Sequence, residues 1–124
     1  MDFAEQADIV ALGLPPQSLP DDLARAVDRL RGYAGSRLDS LELHLNVAAV
    51  AERVDAVPEW VSRMVGGNPR AMAAAGGIAF LIGTTTEIAE QLRRRRAELG
   101  ISYIGVSGMF MEQFAPVIAE LRRP

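Results

Sequence analysis

Lysine and cysteine are both absent from this chain of 124 residues, and histidine occurs once, at His44. Without lysine there is no Schiff base, no P-loop lysine and no lysine general base. Without cysteine, disulfides, thiolate nucleophiles, zinc-thiolate sites and iron-sulfur ligation are excluded, a composition compatible with a reducing cytosol. A single imidazole removes clustered-histidine metal sites. No apolar run approaches the roughly 20 residues of a membrane-crossing helix. The opening Met1-Asp2-Phe3-Ala4-Glu5 is acidic rather than a basic leader. These features predict a soluble, cytoplasmic protein that makes no membrane contact. The 13 basic residues, all arginine, stand against 16 acids for a net charge of -3. That is the wrong sign for a dedicated nucleic-acid binder.

Hydrophobic residues make up 49% of the chain, enough for the core of one domain spanning residues 1–124. Residues 7–12 form a short apolar run closed by Gly13 and Pro15-Pro16, the pattern of a buried strand. Ser18, Pro20, Asp21 and Asp22 predict a helix start, where oxygen caps and first-turn carboxylates suit free amides and the dipole. Leu23, Val27, Leu30 and Ala34 continue that helix to Gly35. Residues 41–50 alternate, with Leu41, Leu43, Leu45, Val47 and Ala49 on one face and Glu42, His44, Asn46, Ala48 and Val50 on the other. Two short helices follow, around Trp60 to Met64 and after Asn68-Pro69, each left by a glycine pair. Thr84-Thr85-Thr86-Glu87 is a capping box opening a helix that ends at Gly100. Residues 101–106 predict a third strand, and residues 110–121 a closing helix that Pro116 shortens or kinks. Strands separated by helices imply parallel pairing through right-handed crossovers.

Four motifs in order carry a family resemblance. They are Ala7-Asp8-Ile9-Val10; Leu41-Glu42-Leu43-His44-Leu45-Asn46-Val47; Leu81-Ile82-Gly83-Thr84 with Glu87-Ile88-Ala89-Glu90-Gln91-Leu92; and Gly100-Ile101-Ser102-Tyr103-Ile104. With the closing Phe114-Ala115-Pro116-Val117, the chain resembles the last third of the luciferase-like oxidoreductases, in their actinobacterial branch that uses the deazaflavin coenzyme F-420. The resemblance implies an α/β fold, a partial TIM-type βα barrel whose three parallel strands are the sixth, seventh and eighth of eight. Met1 would then fall inside the preceding helix. It further implies coenzyme F-420 or FMN as cofactor. The family's glycine-rich phosphate loop precedes the first strand seen here, so the isolated chain is expected neither to bind the cofactor nor to turn over. A whole barrel needs at least about 200 residues, and three strands leave two open edges. A homo-oligomer or a complementary barrel-forming chain is therefore the expected partner.

Barrel sites lie at the carboxyl ends of strands, which makes Asn46 and His44 cofactor-binding candidates; strand alternation alone also explains a polar face there. Gly83 and Thr84 begin a helix, where free amides attract anions, yet the capping box accounts for the same amides. Ser107 follows the last strand at the same rim. As a nucleophile it would need a base in reach, and nothing in the spacing links it to His44, so no catalytic residue is assigned. Arg93 to Arg96 point in four directions about 100° apart and predict a solvated helix end, with Glu90 paired to Arg94. Met109, Phe110, Met111 and Phe114 predict the seal of a core or an interface. Two functions stay open: a C-terminal part of a deazaflavin- or flavin-dependent oxidoreductase, or a non-catalytic truncated-barrel interaction protein that pairs with itself or a larger relative.

Overall fold

The computed structural model describes residues 9–36 and 41–123, with the side chain of Tyr103 excepted. The expectation for Met1, and the Ala7-Asp8 start of the first predicted strand, lie outside the described residues. Ten strands and α-helices follow in order: β1 (Ile9–Ala11), α1 (Pro20–Ala34), β2 (Glu42–Val47), β3 (Ala49–Ala51), α2 (Ser62–Val65), α3 (Pro69–Ala74), β4 (Phe80–Ile82), α4 (Thr85–Leu99), β5 (Ile101–Val106) and α5 (Met111–Leu121). All the pairing is parallel. One sheet runs β1-β2-β5 and a second pairs β3 with β4. The three strands read from the sequence are thus consecutive neighbours in a single parallel sheet.

Two further strand segments depart from that reading. The alternating stretch of residues 41–50 breaks at Ala48, whose amide, with that of Ala49, donates to the carbonyl of Ala79 at 2.7 and 3.3 Å. Beyond the break Ala49, Val50 and Ala51 are all buried, because β3 is covered on both faces. Its partner β4 has the sequence Phe-Leu-Ile, a run too short to carry a strand period of its own.

The apolar residues sort into two clusters. Leu43 and Leu45 of β2 pack with Leu23, Val27 and Leu30 of α1 and with Ile101, so the leucine face of the long strand meets a helix as its alternation requires. The second cluster gathers Val50, Phe80 and Leu81 under Ile88 and Leu92 of α4 and Phe114 and Val117 of α5. Phe110 and Phe114 are core residues, whereas Met109 and Met111 are exposed; only half of that predicted seal is internal. Trp60 stacks on Phe110 with ring centroids 5.5 Å apart.

The helix ends separate correct from incorrect capping assignments. α1 is closed at its start by Asp22, whose carboxylate accepts from the amide of Leu19 at 2.9 Å. Ser18 is instead buried, and its carbonyl accepts from Ile78 at 2.9 Å. Asn68 caps α3 by accepting from the amides of Arg70 and Ala71, each at 3.1 Å. α4 ends on Gly100 in the left-handed region at φ 75°, where a Cβ would be strained. α5 runs through Pro116 to Leu121, so the proline does not shorten it. Arg93 donates to the carbonyl of Glu120 at 2.8 Å and Arg95 to that of Ile78 at 3.3 Å. Burial lowers the pKa of the Arg95 guanidinium. Among the described residues no ion pair joins Glu90 to Arg94; the run is partly spent tying α4 to its neighbours.

Candidate functional site

The polar face of β2 forms one wall of a cleft of about 590 Å³, lined by His44 and Asn46 together with Gly105, Ser107, Leu14 and Met64 among others. The cleft opens at the carboxyl ends of β2 and β5, the end at which open parallel sheets bind ligands. Three of the five candidates from sequence, His44, Asn46 and Ser107, therefore come together.

Register explains the convergence. β5 pairs Ile101 with Leu43 but Tyr103 with His44, so Ser102 is an extra residue opposite the step from Leu43 to His44. Such a bulge shifts every later side chain by one position. As a result Ile104 lies beside Leu45 and Gly105 beside Asn46. Ile104 packs against both apolar clusters, while a glycine faces the cleft. A Cβ built on Gly105 would stand 2.5 Å from Asn46 Oδ1 and 2.7 Å from His44 Nε2. The two polar heads thus close over bare backbone. Gly105 was not among the sequence candidates; the signal for it is the three-residue gap between Ile101 and Ile104, too long for strict alternation, with a glycine just beyond.

Ser107 caps a turn: its Oγ accepts from the amide of Met109 at 3.3 Å and opens the turn Gly108–Phe110. The cleft is otherwise apolar, through Leu14, Pro16, Met64 and Val106, and no arginine, aspartate or glutamate lines it. Among the described residues no group of three or more His, Cys, Asp or Glu side chains is placed to hold a metal, and no helix is long and apolar enough to cross a membrane.

Gly83 and Thr84 lie apart, in a second cleft of about 440 Å³ shared with Glu52 and Gln113. The capping box is present in full. Thr84 N–H donates to Glu87 Oε1 at 2.9 Å, and Glu87 N–H donates to Thr84 Oγ1 at 3.2 Å. The Thr84 amide holds the Glu87 carboxyl below the usual range, helped by the threonine hydroxyl and opposed by desolvation. A carboxylate already occupies the position a phosphate would take.

Comparison with protein-family models, with curated proteins and with solved structures finds no match to this chain.

Proposed function

We propose that this chain is the C-terminal part of a luciferase-like oxidoreductase that uses a deazaflavin or flavin, with β1, β2 and β5 as three successive strands of a TIM-type barrel wall. The observation that carries the reading is the β1-β2-β5 sheet itself. Its strands are parallel, its leucine face is helix-covered, and its polar face opens a cleft at the strands' carboxyl ends. Such a cofactor supplies hydride chemistry, and the protein supplies orientation. His44 and Asn46, on the lining of this cleft, would stand on the wall that faces it. The tail phosphate finds no cation among the cleft's lining residues. The chain therefore supplies a wall for the ring and not a complete site.

Both outer edges of the sheet lack a partner strand among the described residues, and Ile9 on β1 is 47% exposed. Open parallel edges seek further strands. A homo-oligomer or a complementary chain completes the barrel on this reading, in the cytoplasm. The same open edges and the uncharged cleft also favour a second reading, a non-catalytic interaction protein that has kept the fold.

One experiment separates them. The purified chain is mixed with reduced coenzyme F-420 and carbonyl or enone acceptors, alone and with the first five strands of a luciferase-like oxidoreductase, while deazaflavin absorbance and molecular mass are followed. Turnover only in the mixture supports the oxidoreductase part. A complex without turnover selects the interaction protein. A monodisperse monomer that binds no added chain removes both, and turnover by the chain alone overturns the incomplete-site argument.

A further inference from the structure

We propose that a cleft between α1 and α4 binds a small organic acid through its carboxylate, with Arg94 and Arg95 as the anion clamp. This cleft holds about 550 Å³, is bounded by the first turns of α1, the second half of α4 and the link from α3 to β4, and shares no lining residue with the cleft beside β2. Both arginines line it. Arg95 is half-buried, and one of the five N–H groups of its guanidinium goes to the carbonyl of Ile78 at 3.3 Å. Burial lowers the pKa of that guanidinium, and a neutral carbonyl brings no negative charge to offset the cost. Among the described residues neither Arg94 nor Arg95 forms an ion pair. Asp21 and Glu98 line the same cleft, but both are exposed. An incoming anion therefore meets two guanidinium groups with donors to spare and breaks no internal ion pair.

The surroundings choose which anion fits. A planar guanidinium matches a carboxylate through two parallel bonds. Pro20, Ala24, Ile82 and Leu99 put apolar surface beside the arginines, so a hydrocarbon body gains contacts that a bare ion lacks. Asp21 and Glu98 oppose a second negative charge, which favours a monocarboxylate over a phosphate dianion. The site stands whether or not the chain is part of an oxidoreductase.

The full chain, isotope-labelled, is titrated with hexanoate, with its neutral counterpart hexanamide and with inorganic phosphate, while the arginine Nε–Hε resonances are followed. The signals of Arg94 and Arg95 are those missing from the variants Arg94→Ala and Arg95→Gln. Hexanoate shifts them saturably. Hexanamide, which lacks the charge, and phosphate, which lacks the apolar body, bind about tenfold more weakly. Each variant weakens hexanoate by about tenfold. Arg95→Gln keeps an amide donor for the Ile78 carbonyl, and Arg94 is exposed, so both variants fold; Trp60 fluorescence melts check this. Should Arg95→Gln unfold, Arg94→Ala decides alone. No saturable shift with hexanoate overturns the site. Hexanamide binding as tightly as hexanoate overturns the anion clamp, and phosphate binding as tightly overturns the choice of an acid with an apolar body. A folded variant of either arginine that binds hexanoate as well as the parent overturns the proposal too.

Discussion

Leu81→Ala tests the part of the fold that sequence pattern did not reveal. Leu81 sits in β4, fully buried at 0% exposure, within the cluster that also holds Val50, Ile88 and Phe114. Truncation removes the equivalent of three methyl or methylene groups, about 2.4 kcal/mol of transfer free energy. The cavity left behind raises the cost to about 3 kcal/mol, within the roughly 2–5 kcal/mol range of buried leucines. A chain of this length has roughly 6–19 kcal/mol of total stability, so the variant folds but melts about 10 °C lower. Urea titration and thermal melts followed by the single tryptophan, Trp60, which stacks on Phe110, read the change. Met109→Ala, at a position 69% exposed, is the control and stays within about 0.5 kcal/mol. A loss below about 1 kcal/mol for Leu81→Ala, at unchanged urea dependence, refutes the burial of β4 under α4 and α5.

Thr84→Ala removes one arm of the capping box and costs about 1 kcal/mol in the same melts; no loss would mean that α4 does not depend on its cap. Gly100→Ala costs about 1 kcal/mol from backbone conformation alone, since the nearest atom to a new Cβ is Leu43 Cδ1 at 3.9 Å, and Gly100→Asn costs less. Acid should destabilise the protein through Glu87 and Asp22. Backbone amides, of Thr84 and Leu19 respectively, hold both carboxyls below their ordinary values. A depressed folded-state pKa contributes stability that is full above the unfolded value and lost as pH falls through the folded one. Melting temperatures should therefore fall from about pH 5 downward, and Glu87→Gln should flatten that fall; an unchanged slope in the variant would contradict the assignment.

Much of the site was legible in the strand of residues 41–50, because period-two alternation with one apolar face leaves little choice about which side chains face away from the helix. His44 and Asn46 follow directly from it. Ser107 was reached as the residue past the last strand, and the structure brings it to the same cleft. Thr84 and Glu87 were legible as a capping box, and they form one; Gly83 takes no part in its bonds. Gly105 was not legible, because its place beside Asn46 depends on a one-residue slip between two strands far apart in sequence.

Local chemistry therefore came from the sequence alone: the helix starts at Asn68 and Thr84, the stop at Gly100, the apolar face of β2, and the exclusion of lysine, thiolate and clustered-imidazole chemistry. These features depend on residues within one or two turns of each other, where side-chain spacing fixes the outcome. Tertiary structure alone decided that β5 bulges at Ser102, that β2 gives way to β3 at Ala48, and that β4 pairs there. Register between strands is chosen by which side chains can be buried together, and that choice belongs to the packed sheet, not to any one strand.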